Sequence, residues 1–215
     1  MLAQWRETFK PYLLQIGQVI ARSGISANAF SLLAIPFAAL AAFYVSQFQF
    51  AFAFVVALCA FAIDVLDGSV AKALNQVTPF GNYLDAIVDK VVEVLFLAGF
   101  VFYLPLFAFF ALAGTLLVSY AKPRAALVAV MDNHDWPGIG ERADRLAILL
   151  LGMLLAALLP SSDALLALQA MLLLVGTITL VGFVQRVEYA KWCIKHAQKS
   201  KTLLPYLQNP KKARK

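Results

Sequence analysis

Four aspartates interrupt one strongly apolar stretch of the chain. They follow the pattern Asp64-x2-Asp67-Gly68-x2-Ala71-Lys72, then eight residues, then Gly81-x3-Asp85-x3-Asp89. Residues 51–63 before them carry no charge, and residues 91–103 after them carry only Glu93. A carboxylate at membrane depth costs roughly 2.5–3.5 kcal/mol. Four left without a counter-charge would cost on the order of 10 kcal/mol. A fold that keeps them needs something there that uses them, and divalent cations answer best. The ligands would be oxygens, which suits magnesium, manganese or calcium. Cys59 and Cys193 are too few and too isolated for a zinc site or a disulfide framework, and His134 and His196 are not spaced as a metal pair.

The remainder of the chain sets the solvent. Of 215 residues, 62% are hydrophobic, and the mean hydropathy is +0.78. A soluble domain would be about 45–50% apolar. The sequence therefore predicts an all-α integral membrane protein, with residues 1–215 forming a single membrane domain. Six transmembrane helices are expected over residues 27–46, 48–73, 82–103, 106–126, 143–159 and 164–186. Each is near the 20 residues that span a hydrocarbon core, or longer. Pro36 is expected to kink the first. Residues 1–23 place Trp5, Phe9, Tyr12, Leu13, Ile16 and Ile20 at helical spacing, with Arg6, Glu7, Lys10 and Gln18 on other faces. That segment reads as an amphipathic helix in the interface. It has no apolar core followed by a small-residue cleavage site, so it is not read as a signal peptide.

Charge sets the orientation. The connections after the first, third and fifth expected spans contain no Lys or Arg. The basic residues lie in the N-terminal segment, near the aspartates, between the fourth and fifth spans, and in the tail 187–215. The positive-inside rule then puts both termini and the aspartates on the cytoplasmic side of a multi-pass cell-membrane protein. The net charge of +6 reads as topology and attraction to anionic lipid, with no nucleic-acid partner.

Spacing brings the carboxylates together. Asp64 and Asp67 are three apart and Asp85 and Asp89 four apart, so each pair shares a helix face. A turn around Thr78-Pro79-Phe80-Gly81 makes the two helices antiparallel neighbours, so four carboxylates converge. Like charges that close need a cation. Four carboxylates suit two divalent ions, which together clamp a phosphoryl group. Gly68 and Ala71 lie on the first helix, where small residues admit either a packed helix or a flat ligand. Gly81 is equally a turn glycine.

The run from Asp64 to Asp89 resembles the signature of the CDP-alcohol phosphatidyltransferase family, Asp-x2-Asp-Gly-x2-Ala-Arg-x8-Gly-x3-Asp-x3-Asp. It matches at Asp64, Asp67, Gly68, Ala71, Gly81, Asp85 and Asp89, with Lys72 where the family has Arg. Lys keeps the charge but lacks the bidentate fork. The resemblance implies that Asp64, Asp67, Asp85 and Asp89 hold two divalent ions, Mg²⁺ or Mn²⁺, at the diphosphate of CDP-diacylglycerol or CDP-archaeol. Asp89 would also be the general base on the acceptor hydroxyl. Asp67, Gly68, Ala71, Lys72 and Gly81 would contact the CDP group. Gly24-Ile25-Ser26-Ala27-Asn28 resembles the Gly-x-Thr-Pro-Asn opening of the family's first helix, with Ser26 and Ala27 departing from it. Asn28 would then face the nucleotide or, with Ser26, cap the helix. A homodimer is expected from the same resemblance.

The acceptor is read from Lys122, Arg124, Arg142 and Arg145, between the fourth and fifth spans. Such a cluster suits an anionic acceptor, or is positive-inside charge neutralised by Asp132, Asp135, Glu141 and Asp144. Ser119-Tyr120-Ala121-Lys122-Pro123-Arg124-Ala125 resembles the Ser-Tyr-x-Arg-Ala-Arg-Ala run of the inositol-phosphate-using branch. Residues 140–146 resemble that branch's Glu-Arg-x-Glu-Arg run. The expected activity is transfer of a phosphatidyl or archaetidyl group to a polar alcohol, with inositol phosphate first and glycerol 3-phosphate or serine as alternatives. A reading of another class is a cation transporter using the aspartates. A transporter would scatter carboxylates through the membrane depth, whereas these gather on two adjacent helices.

Overall fold

The computed structural model describes residues 2–129, 136–200 and 203, with the backbone alone over residues 2–10. Of the described residues 83% are helical, and no strand forms among them. One isolated antiparallel bridge joins Ala129 and Leu203. The described residues form α1 (Leu2–Ala21), α2 (Ala27–Leu32), α3 (Ala34–Ser46), α4 (Phe50–Ala73), α5 (Pro79–Ala98), α6 (Pro105–Ala126), α7 (Arg142–Leu158) and α8 (Ser161–Ser200). Four spans are long and apolar enough to cross a membrane: Ala27–Ser46, Phe50–Ala73, Pro105–Ala126 and Ser161–Ser200. The other two expected spans fall short by this measure. Helix α5 carries Asp85, Asp89, Lys90 and Glu93, and α7 has 17 residues.

Local chemistry explains where the helices start and stop. Ser26 is the N-cap of α2, its hydroxyl accepting from the Ala29 N–H. The bend expected at Pro36 falls at Leu33, between α2 and α3. A proline ring clashes with the carbonyl four residues earlier, which here is that of Leu32. The chain tightens there, with the Leu33 N–H donating to Phe30 O at 3.1 Å. Helix α5 begins at Pro79 rather than at residue 82, because Thr78 caps it and proline suits the first helical position. It ends at Ala98, before Gly99. Helix α8 runs 14 residues past the expected end at residue 186, as far as Ser200. No glycine or proline interrupts that segment, so the basic residues mark the end of the apolar span and not of the helix.

The chain divides into two compact units, one of residues 1–105 with 153–164 and one of residues 106–152 with 165–215. In the first, α3 packs along both α4 and α5, which touch each other over only a short stretch. The antiparallel neighbours expected from the turn at Thr78–Gly81 do meet, but over part of their length only. Small residues decide the packing: Ala34, Ala38 and Ala41 on α3 and Ala53, Ala57 and Ala60 on α4 are all buried. Such stripes let backbones approach closely. The outward face of α4 exposes Phe52, Val55 and Leu58, as lipid contact requires and water would penalise. Glu93 is 1% exposed and forms an ion pair with Lys90, one turn earlier on α5.

Helix α1 lies against α4. Leu13 and Ile20 are half-buried, while Tyr12, Ile16 and Val19 face outward. The side chains of Trp5 and Phe9, which complete the expected apolar stripe, lie outside the described residues. In the second unit α6 meets α8 where Gly114 faces Thr179 and Gly176 faces the Phe110 ring. Residues 201, 202 and 204–215 of the expected tail lie outside the described residues.

The contact of α1 with α4 is testable. A Cβ on Gly17 would stand 2.8 Å from the Ser69 carbonyl carbon, and backbone cannot give way as a side-chain tip can. Gly17→Leu is expected to destabilise the protein by about 1–3 kcal/mol, the usual cost of overpacking. Thermal melting in detergent measures the loss. An unchanged melting temperature would mean that α1 does not pack there.

Candidate active site

The turn between α4 and α5 builds a cleft from backbone chemistry. Asn75 takes a left-handed φ of 54° as α4 ends. The Gln76 N–H then donates to Ala71 O at 2.9 Å and the Asn75 N–H to Lys72 O at 3.2 Å. This is a Schellman end. Two residues later Thr78 starts α5, its Oγ accepting from the Gly81 N–H at 3.0 Å. One tight connection thus joins the helices that carry the aspartates.

A cavity of about 150 Å³ opens beside this turn. Of the residues expected to contact CDP, Asn28, Asp67, Gly68, Ala71, Lys72 and Gly81 all line it, and so does Asp85. The two glycines behave differently. A Cβ on Gly68 would meet nothing within 4 Å, whereas one on Gly81 would stand 3.1 Å from Thr78 Oγ1 and 3.3 Å from Asn28 Oδ1. Gly68 therefore leaves open floor, and Gly81 lets Asn28 and the α5 N-cap close together. Ser31, Gln76 and Asn82 also line the cleft and were not singled out from the sequence, and Thr78, read there only as part of the turn, lines it too. Ser31 lies outside the Asp motif and Gln76 falls in its unspecified eight-residue gap, so the motif names neither.

Three of the four aspartates form the tight group. Ligand oxygens of Asp64, Asp85 and Asp89 lie within 4.8 Å of one another, all half-buried. Three carboxylates at that spacing can share a divalent cation, and hard oxygen donors suit Mg²⁺ or Mn²⁺. Asp67 stands apart from the group, 8% exposed but within electrostatic reach of Asp85 and Asp64. The Ser31 hydroxyl has one proton to give, with the Asp67 carboxylate and the Ala27 carbonyl, 3.2 Å away, both in reach. The four carboxylates expected to converge thus form a group of three with Asp67 beside it. Spacing three apart on α4 puts Asp64 and Asp67 on one face without giving them the same neighbours.

The expected acceptor residues lie in the second unit and differ among themselves. Arg124 is exposed. Lys122 stands 6.0 Å from the centre of the Trp136 ring. Arg142 is half-buried at the start of α7. Arg145 is 3% exposed and donates from Nη1 to the Gly140 carbonyl at 2.5 Å. Gly140 has a φ of 71°, so this arginine braces a left-handed turn. Asp144, expected to neutralise the cluster, accepts from the Glu141 N–H at 3.2 Å and caps α7. Asp132, Asp135 and His134 lie outside the described residues. Arg186 was missed as a member of this unit's cation set. It donates from Nη1 to Val118 O at 2.8 Å and from Nε to Pro137 O at 3.3 Å, within electrostatic reach of Glu141 and Arg145. It closes the last expected span, where a basic residue reads as topology.

Comparison with known proteins identifies the family. The sequence model of the CDP-alcohol phosphatidyltransferase family matches residues 25–182. The archaetidylinositol phosphate synthase of Pyrococcus horikoshii is 30% identical over 197 residues, covering 89% of this chain and 97% of that protein. The chain belongs to the CDP-alcohol phosphatidyltransferase family. It is an integral membrane transferase of phospholipid synthesis, which sets the transporter reading aside. In fold it is similar to the phosphatidylinositol phosphate synthase of Mycobacterium tuberculosis. The crystal structure with CDP-DAG bound superposes with a TM-score of 0.69 at 22% identity, covering 83% of this chain and 92% of that one. The same enzyme in complex with manganese and citrate superposes at 0.70, also at 22% identity, covering 83% and 88%.

If the three carboxylates share an ion, metal should stabilise the fold. A ligand at about 100 times its Kd adds roughly 2.7 kcal/mol. The protein in detergent is expected to melt higher in millimolar Mn²⁺ than in EDTA, and Asp85→Asn to lose most of that shift. Equal melting of the wild type in both would count against an ion site at these residues.

Proposed function

We propose that the protein transfers a phosphatidyl or archaetidyl group from a CDP-linked lipid to inositol phosphate, releasing CMP. The observation that carries this reading is the group of Asp64, Asp85 and Asp89 beside a cleft lined by Asp67, Gly68, Ala71 and Gly81. The name of the Pyrococcus relative supports an inositol phosphate acceptor. The CDP-DAG held by the mycobacterial enzyme supports the donor class.

In this reading Asp64, Asp67, Asp85 and Asp89 hold two divalent ions, Mg²⁺ or Mn²⁺, with Asp67 the outer member. When bound, the ions neutralise the diphosphate and stabilise charge on the attacking and leaving oxygens. Asn28, Gly68, Ala71 and Gly81 seat the nucleotide, and Lys72 supplies a positive charge to the diphosphate. Asp89 takes the proton of the acceptor hydroxyl as its oxygen bonds to the β-phosphorus. The bond from that phosphorus to the bridging oxygen breaks, and CMP leaves with the electron pair. Arg124 and Arg142, with Lys122, attract the acceptor phosphate, and Arg145 holds the α7 turn in place as well.

The same reading keeps residues 1–215 as one membrane domain with six spans. Helices α5 and α7 cross despite their charge and length, α1 lies in the interface, and the termini and active site are cytoplasmic. The distribution of Lys and Arg supports that orientation. The protein is taken as a homodimer, in line with the family resemblance.

The experiment is a panel of acceptors offered to purified protein with labelled CDP-diacylglycerol or its ether-lipid analogue, in Mg²⁺ or Mn²⁺. CMP release and an inositol phosphate lipid are the expected products. EDTA abolishes turnover reversibly, and Asp64→Asn or Asp85→Asn abolishes it in a folded protein. Asp89→Asn keeps CDP-lipid affinity but loses roughly 10²–10⁴-fold in rate. Full activity in excess EDTA, or product only with an uncharged alcohol, overturns the reading.

The cations separate kinetically. Removing one charge-assisted partner costs about 1.5–3 kcal/mol, or roughly 10–150-fold in kcat/KM for the acceptor. Arg142→Ala is expected to show that loss with little change in CDP-lipid KM. Arg145→Ala is expected to lower the melting temperature as well, since it strips the Gly140 carbonyl of its buried donor. If Arg124→Ala and Arg142→Ala both keep the wild-type acceptor KM, the phosphorylated acceptor fails.

A further inference from the structure

Gln76 lies outside the motif positions, yet it joins two sides of the cleft. The Schellman end of α4 fixes its backbone. Its side chain then reaches α2, where Oε1 accepts from the Ala27 N–H at 2.9 Å. A backbone N–H can be accepted only by the amide oxygen, so chemistry fixes which way the amide faces. Ala27 is the first residue of α2, and its N–H has no partner within the helix. Ser26 Oγ meanwhile takes the Ala29 N–H at 3.3 Å. The start of α2 therefore has two side-chain caps, one local and one delivered from the end of α4.

The contact matters because α2 has only six residues. A helix that short has little hold of its own, yet it brings Asn28 and Ser31 to the cleft. Position 27 is also where the motif Gly-x-Thr-Pro-Asn has proline. Proline has no N–H and presets the helical φ, so it needs no cap at the first helical position. Ala27 carries the donor that proline lacks, and Gln76 receives it.

We propose that Gln76 is a positioning residue for nucleotide binding: its side-chain cap on Ala27 holds Asn28 and Ser31 at the cleft, in place of a proline at position 27. The proposal rests on the reading of the cleft as the CDP site. It adds a residue that acts through another and does not itself touch the reacting atoms.

A double-mutant cycle tests it, with wild type, Gln76→Leu, Ala27→Pro and the double variant, each purified in detergent. Ser26 has φ −64° and ψ 152°, the extended backbone that a residue before proline adopts. Gln76 is exposed and can swing aside. In the Ala27 background, Gln76→Leu is expected to lower the melting temperature. It should also raise KM for CDP-diacylglycerol about three- to ten-fold, the scale of one hydrogen bond, while kcat moves less. In the Ala27→Pro background the same substitution should change neither quantity. An equal effect in both backgrounds means that Gln76 acts by direct contact, and overturns the proposal. No effect with Ala27 present overturns it as well. If Ala27→Pro does not fold, Gln76→Glu decides, because it keeps the accepting oxygen. It is expected to melt with the wild type, and melting with Gln76→Leu is the contrary result. The melting cycle needs no turnover. If no variant releases CMP from CDP-diacylglycerol, the functional reading fails while the melting cycle still judges the cap. If the wild type turns over and the cycle shows no coupling, the cap fails alone.

Discussion

The fold depends on a conflict between solvent and charge. Helix α4 is long and apolar enough to cross a membrane, and α5 is apolar beyond Glu93, yet each carries carboxylates that lipid penalises. The conflict is resolved by position. On α4 the acids occupy the C-terminal half, and on α5 they begin in the second turn. A five-residue gap between the helices leaves those two ends no choice but to meet. Charge is thereby concentrated at one end of the helix pair, where a cation can offset it. Deeper along α5, Glu93 has Lys90 one turn away. A buried acid on the same helix is thus matched by a neighbouring base.

Given that meeting point, backbone chemistry shapes the cleft. Asn75 turns the chain by taking a left-handed conformation that asparagine tolerates better than most residues. Thr78 and Pro79 restart it, one by accepting the Gly81 N–H and the other by presetting φ. Gly81 then permits Asn28 to approach within a distance that a methyl group would crowd. None of these contacts is strong alone. They act in series within a dozen residues, so the wall of the cleft is set by turn geometry more than by side-chain packing.

The sequence made the membrane class, the helical fold and the Asp motif legible because each rests on local information. Hydropathy marks a span, and spacing of three or four marks a helix face. It was less informative wherever the outcome depended on a distant partner. Pro36 announced a break, but its place at Leu33 follows from the carbonyl four residues upstream. Arg186 looked like the end of a helix because charge ends a span, yet α8 has nothing in its sequence to stop it before Ser200. Asp67 shares a face with Asp64, yet burial and Ser31 give it different surroundings. The motif names neither Ser31 nor Gln76, and both line the cleft. Arg142 and Arg145, three apart in an apparently uniform basic cluster, diverge because one of them faces the carbonyl of a left-handed glycine.

Small residues have two opposite uses in this protein, and the distinction bears on how its motif should be read. On α3 and α4, alanines disappear into the contact between helices. At Gly17 and Gly114 a side chain would strike a neighbouring helix, so packing alone demands glycine. Gly68 is different. A side chain there would meet nothing, so no contact within the protein explains why the position is small. Glycine inside a helix costs about 1 kcal/mol relative to alanine. A helix that accepts this cost, on the open floor of a cleft and next to a buried aspartate, gains nothing from it in the folded chain alone. In the proposed reading of the cleft, the gain comes from a flat nucleotide passing close to the helix backbone, a ligand that needs the missing side chain.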